Sequence, residues 1–404
     1  MQGGDGDDAM RANATYMLGM IRQTNEEAVA DVLLELLSKP DEPVAVRTYA
    51  AGILDWMEFE DPAQYQALVD GLQRGPSAVV KSFAAQHPGQ IKDPRAVPLL
   101  MESLASTEED FAQFSAGSLG VIGRPAVDAV PSLCALLDDP VCECRSTAAD
   151  ALGGIRAGAD ISLPVLLRAL KDEDTRVRRE AAQSIGIVAR EDGIDFGPAV
   201  TALAEALSDE GDHVAERAAE SLEWLGPRSA PAVPQLIAAL ESPDYFVRWN
   251  AAGALGAIGP ASEPAIPALI KAADDENGNV RREAVAALSD LALQPNRVIP
   301  VLAAKVTDPV VDARALTGLK TFGEASRPAI PEVIKVLKTA DEYYTRASAA
   351  ETLSAIGHGR RDVIEALTSA LLNDEDETVR DSAADALKVL TDDENAEESD
   401  GREP

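Results

Sequence analysis

Apolar residues recur along much of this chain at i, i+3, i+4 and i+7, the spacing of a helix with one buried face. The segment VRWNAAGALGAIG at 247–259 returns as VRREAVAALSDLA at 280–292, VRREAAQSIGIVA at 177–189 and VRDSAADALKVLT at 379–391. Looser copies are CRSTAADALGGIR at 144–156 and VRTYAAGILDWME at 46–58. Indexed on the residue in the Arg position, the copies fall at Arg11, Arg47, Lys81, Ala112, Arg145, Arg178, Ala215, Arg248, Arg281, Asp312, Arg346 and Arg380. A register held this long is the mark of a repeat architecture.

Each copy follows a second pattern. AVPSLCALLDDP (129–140), AVPQLIAALESP (232–243), AIPALIKAADDE (265–276) and AIPEVIKVLKTA (329–340) carry a Pro in the first helical turn, where its missing N–H costs nothing. A turn, Asp-bearing in most copies, separates this helix from the next, and Gly or Pro ends the second one, as in GAIGPASEP (256–264). Each repeat therefore reads as helix–turn–helix, and no stretch alternates with the period of two that a strand needs. The fold class expected is all-α: an α-solenoid of about 11 helix–turn–helix repeats plus a leading half-repeat, right-handed, with contacts between nearest neighbours. Within it, residues 1–10 read as an acidic disordered N-terminus, 11–391 as the solenoid and 392–404 as an acidic disordered tail. The Ala pairs three and four residues after the anchor (Ala84–Ala85, Ala148–Ala149, Ala251–Ala252, Ala383–Ala384) allow close helix approach. Leu54, Leu152, Leu255 and Leu387 fill the core, each contributing about 1.5–3 kcal/mol.

These residues resemble the HEAT-repeat family, in particular its phycobilisome-lyase-like subtype, over roughly residues 11–390. The resemblance implies a ladder of turn Asp and helix Arg. The matching pairs are Asp41 with Arg47, Asp139 with Arg145, Asp172 with Arg178, Asp275 with Arg281, and Asp374 with Arg380; Arg248 and Arg346 hold the same helix position. Ala112, Ala215 and Asp312 interrupt it. The family includes deoxyhypusine hydroxylases, whose iron ligands are His–Glu pairs. His87, His213 and His358 form no such pair, so that activity is not expected. The resemblance also implies a non-enzymatic scaffold. In halophilic archaea the subtype includes a taxis adaptor between the chemotaxis system and the archaellum (archaeal flagellar) motor, with similar length and acidity. The alternatives are a general scaffold of unknown pathway or a bilin-lyase-like enzyme.

Composition narrows the partners. With 36 basic and 69 acidic residues the formal charge is −33, which excludes phosphate-backbone binding. Only 10 of the basic residues are Lys, a balance suited to a salt-rich cytosol. Three cysteines argue against a disulfide scaffold. Cys134 and Cys144 occupy core columns and Cys142 a turn, so helix packing is preferred to a metal site. GSLGVIG (117–123) lies within a helix pattern and cradles no phosphate. No catalytic residue, cofactor or metal is expected. No apolar run reaches membrane-spanning length, and the start lacks a signal-peptide pattern, so the chain reads as a cytoplasmic monomer without membrane insertion.

The second helices carry the sharpest functional signal. Positions 2, 5 and 9 after the anchor point away from the core and should line a concave face. In the early repeats they carry Tyr16, Met20, Tyr49, Trp56, Phe83, Phe114 and Val121. Later they carry Glu180, Glu220, Glu283, Asp290, Glu351 and Asp385, with Trp224 the exception. Aromatic residues where packing does not demand them are typical partner anchors, here for other proteins.

Overall fold

The computed structural model describes Val32, Glu35 and residues 97–104, 109–142, 144–191 and 193–400. Every regular element among the described residues is helical, as the repeat pattern requires. The chain divides between Ala199 and Val200 into two compact units.

The first unit pairs α1 (Val97–Leu104) with α2 (Glu109–Ile122), α3 (Val130–Leu137) with α4 (Arg145–Ile155), and α5 (Ala159–Ala169) with α6 (Thr175–Val188). Helix α7 (Gly197–Ala206) runs across the division. The second unit continues with α8 (Val214–Leu225), α9 (Val233–Ala239), α10 (Tyr245–Ile258), α11 (Ile266–Ala272), α12 (Gly278–Leu291) and α13 (Pro295–Lys305). It ends with α14 (Asp312–Phe322), α15 (Ile330–Thr339), α16 (Tyr343–Ile356), α17 (Arg361–Asn373) and α18 (Glu377–Asp400). Even-numbered helices pack side by side within each unit: α2 on α4 on α6, and α8 on α10 on α12 on α14 on α16 on α18. Each odd-numbered helix except α7 packs against the even-numbered helix that follows it.

Local chemistry sets the boundaries. Pro131, Pro234, Pro267 and Pro331 sit in first turns, and 3-10 turns at Arg124–Ala129, Gly226–Ala232, Gly259–Ala265 and Gly323–Ala329 lead into those helices. Asp174, Asp244 and Asn277 cap second helices by accepting from the N–H two residues on. The close approach expected of the small residues is present. A Cβ added at Gly120 would lie 2.8 Å from Ala151 Cα, and one at Gly154 would lie 2.6 Å from Gly120 O. Ala148, Ala149, Leu152, Ala251, Ala252 and Leu255 are fully buried. Ala383 is buried, whereas Ala384 and Leu387 of α18 are partly exposed. Ala84, Ala85 and Leu54 lie outside the described residues. Helix α18 continues to Asp400, through residues that read as a disordered tail from sequence. Its run of Asp, Glu and Ala extends an already nucleated helix, for which elongation is cheap.

The ladder is built, with a different pairing from the one the sequence suggested. Arg145 Nε and Nη2 donate to Asp172 at 3.1 and 3.1 Å, and Arg248 to Asp275 at 2.7 and 2.9 Å. Arg346 donates to Asp374 at 2.8 and 2.8 Å, and Arg281 Nε to Asp308 at 3.1 Å. Each Arg thus reaches the carboxylate of the following turn. Toward its own turn it donates to main-chain carbonyls instead: Arg178 to Asp172 O, Arg281 to Asp275 O and Arg380 to Asp374 O. The reason is local. Asp172, Asp275, Asp308 and Asp374 each accept from the N–H two residues on, which pins the carboxylate toward the preceding repeat. Asp139 makes the same turn with Val141 N, but the preceding anchor is Ala112, so no Arg reaches it. Asp308 is a rung residue that the motif comparison missed. Asp41 and Arg47 lie outside the described residues.

Candidate interaction surface

The even-numbered helices bury one side against odd-numbered helices and leave a second side open. Along this open side, residues of neighbouring helices meet: Gly117 opposite Thr147, Trp249 Nε1 donating to Glu283 Oε2 at 3.4 Å, and Lys320 Nζ to Glu351 Oε2 at 3.4 Å. Of the predicted partner-binding residues, Tyr16, Met20, Tyr49, Trp56 and Phe83 lie outside the described residues. Phe114 falls in α2, with its side chain also outside them. Val121 is exposed and Trp224 is half-buried.

The second unit holds the best-defined part of this face. Glu220, Glu223 and Trp224 come from α8, Trp249 from α10 and Glu283 from α12. Partial burial pushes the Glu223 carboxyl up to about 7, with Glu283 and Glu220 adding repulsion. Gly253 makes room for it, since a Cβ there would lie 2.7 Å from Glu223 Oε2. Glu220 accepts from Arg217 at 2.7 Å. In the first unit Asp150 faces a similar situation: desolvation, then Glu180, raises its carboxyl, while Glu180 accepts from Arg179 at 2.6 Å. Asp290, Glu351 and Asp385 are exposed. Carboxylates beside two indole rings form a surface suited to basic, partly apolar side chains. Trp249 was not among the expected site residues because it lies one position after its anchor, outside the columns used. Its helical neighbour Asn250 occupies the expected column.

A second feature lies at the turn edge of the same repeat. A cavity of about 640 Å³ is lined by the loop from Leu207 to Glu216 and by residues between Gln235 and Val247. It opens where Ala215 replaces the ladder Arg. His213 enters α8 with φ 60° and its Nδ1 lies 2.6 Å from Glu216 Oε2. The rings of Tyr245 and Phe246 stack at 4.1 Å nearby, with Phe246 edge-on to His213.

Cys142 and Cys144 are joined in a disulfide and Cys134 is a buried free thiol, raised to about 11 by burial, with Asp138 adding to the shift. The sequence places Cys134 and Cys144 in core columns and Cys142 in a turn. The bridge closes so short a loop that it constrains little of the unfolded chain. Among the described residues no three His, Cys, Asp or Glu side chains are grouped to hold a metal, and no helix is long and apolar enough to cross a membrane.

Comparison with known proteins gives a consistent picture. No curated protein matches the sequence. An engineered protein of known crystal structure is 22 % identical, with 90 % of this chain and 98 % of that chain covered at a TM-score of 0.54. A structure of Kap95p with RanGDP is 14 % identical, with 96 % of this chain and 59 % of that one covered at a TM-score of 0.56. At such identities these likenesses establish an all-α solenoid and nothing finer. The HEAT repeats family matches residues 3–87, 65–153, 130–223, 200–289, 233–319 and 298–388, end to end along the solenoid. The chain belongs to the HEAT-repeat family.

Proposed function

We propose that this protein is a non-enzymatic scaffold that binds a partner protein along the open face of its second helices. The observation that carries this reading is the cluster of Glu220, Glu223 and Glu283 with Trp224 and Trp249, in which burial first, and then the two neighbouring carboxylates, raise the Glu223 carboxyl to about 7. Mutual repulsion among these carboxylates is relieved when a basic side chain enters between them. The indole rings supply area that stays attractive when salt screens the charges. Tyr16, Tyr49, Trp56, Phe83 and Phe114, with Met20 and Val121, are proposed as further apolar anchors for the partner.

The finer reading is a taxis adaptor linking the chemotaxis system to the archaellum motor. Its support is the resemblance of the repeats to the phycobilisome-lyase-like subtype, the length and the charge of −33. Affinity purification in molar KCl tests both levels. Recovery of chemotaxis or archaellum-accessory proteins supports the adaptor, and recovery of unrelated proteins leaves a general scaffold. For the site itself, Trp224→Ala with Trp249→Ala should weaken the recovered partner at least thirtyfold, about 2 kcal/mol. Unchanged partner recovery by this pair, with a native circular dichroism spectrum, overturns the assignment of the face.

A further inference from the structure

A separate site lies in the first unit, where three arginines face one cavity. Arg124 opens the turn after α2, Arg156 ends α4, and Arg190 follows α6. With Val127, Ala157, Gly158 and Glu191 they line a cavity of about 600 Å³. All three are exposed, and among the described residues none of the three guanidinium groups makes an ion pair or hydrogen bond. Many arginines elsewhere in the described chain are held by carboxylates, as in Arg145–Asp172, Arg168–Asp138, Arg248–Asp275, Arg346–Asp374 and Arg360–Asp362. In a chain with nearly two acidic residues for every basic one, three unpaired arginines on one cavity stand against the composition.

The fold does not ask for them. The three positions fall within one residue of the same point in three consecutive repeats, just past the second helix. The corresponding positions of later repeats hold Pro227, Pro260, Leu293, Glu324 and His358, so the basic residues break the repeat where packing leaves it free. We propose that this cavity binds a phosphate group.

Three features favour that chemistry. Guanidinium forks match phosphate oxygens two at a time. Helix α5 begins at the cavity: its N-cap Gly158, φ 74°, offers no capping side chain, and its Ala159 N–H already donates to a carboxylate oxygen, Glu191 Oε2, at 3.1 Å. The lining residues sum to two net positive charges, which suits a dianion. An extended acidic polymer would meet the surrounding negative surface, whereas a phosphate group confines its charge to the cavity. The source is either a free phosphate compound or a phosphorylated side chain of a partner.

Two probes distinguish these sources: inorganic phosphate, followed by its phosphorus NMR line width, and a phosphoserine peptide, followed by fluorescence anisotropy. Both are used at the lowest KCl concentration that preserves the helical spectrum. The full-length protein should bind at least one with Kd below about 1 mM. Arg124→Gln with Arg156→Gln and Arg190→Gln should weaken it at least tenfold at unchanged melting temperature. Arg360→Gln with Arg361→Gln, which leaves the cavity intact, should bind as wild type. Tighter binding of the phosphopeptide than of inorganic phosphate assigns a phosphorylated protein partner; equal affinity for both assigns a small phosphate compound. Failure of the wild type to bind either probe overturns the proposal, as does wild-type binding by the triple variant.

Discussion

The turn anchored by Arg346 and the turn anchored by Ala215 occupy the same place in the repeat and behave differently. Arg346 donates to both Asp374 oxygens and to the carbonyls of Ala340 and Asp341, so one guanidinium ties two turns together. Only about a tenth of either side chain is exposed. At Ala215 there is no guanidinium, and at the usual spacing of 27 residues stands Ser242 where a rung places Asp. Both partners of the rung are missing together, and a cavity takes their place. The same repeat carries a carboxyl held up near 7 at the other end of its helix, and a non-glycine residue at positive φ at its start. Features that lower stability gather in one repeat, the pattern expected where a surface is kept for binding. The third interruption is milder: Asp312 accepts from Thr345 Oγ1 at 2.8 Å, a rung of opposite polarity.

The largest effect should come from breaking a complete rung. Arg346→Ala leaves Asp374 buried without its cation and two carbonyls without their donor, at a cost of about 3 kcal/mol. The measurement is the urea midpoint by circular dichroism. Arg346 first of all holds the Asp374 carboxyl below its ordinary range, against the smaller push of burial. That rung therefore stabilises fully above pH about 4 and is lost as pH falls through the lowered value. In Arg346→Ala this part of the acid dependence should flatten. A loss under about 1 kcal/mol would reduce the rungs to ornaments of a packed helix array.

How much of this was legible in the sequence follows from the range of each interaction. The period, the helix pairs and the Ala and Leu columns are local or nearest-neighbour patterns, and α3–α6 and α8–α18 carry them. The rung partners were harder because Asp172 is 6 residues from Arg178 and 27 from Arg145, and spacing alone favours the near one. The turn hydrogen bond from Asp174 N decides for the far one, and it is visible only in three dimensions. Trp249 escaped because a half-buried edge is wider than three columns. The arginine cavity escaped because its members are 32 and 34 residues apart in loops that have no helical phase.

A smaller effect, of opposite sign, belongs to the Ala215 repeat. Glu223 has its carboxyl raised, so it penalises folding wherever the unfolded chain is ionised and the folded chain resists ionisation. The penalty grows as pH rises from about 4.5 and is complete above about 7. Glu223→Gln should stabilise the protein by about 1 kcal/mol at pH 8, after allowance for solvent screening of a half-exposed group, and by almost nothing at pH 4.5. Melting temperatures at the two pH values check this. An equal gain at both would mean that shape, not charge, strains the site.

The smallest effect comes from building the missing rung. Ser242 Oγ already accepts from Asp244 N at 3.2 Å, the turn contact that rung aspartates make, so Ser242→Asp keeps the local geometry. Ala215→Arg then places a guanidinium where Arg248 has one in the next repeat. The gain should stay below about 1 kcal/mol, because the cavity is also lined by Asp209, Asp212 and Glu216, which compete for the new cation and keep it partly solvated. The urea midpoint of the double variant reads this directly against Arg346→Ala. A gain equal to the loss in Arg346→Ala would show that the turn at Ala215 differs from the others only by two side chains. A gain below 1 kcal/mol, together with lost partner binding in molar KCl, would show that the cavity is kept open for the partner. Intact partner binding would confine the interaction to the open face around Trp224 and Trp249.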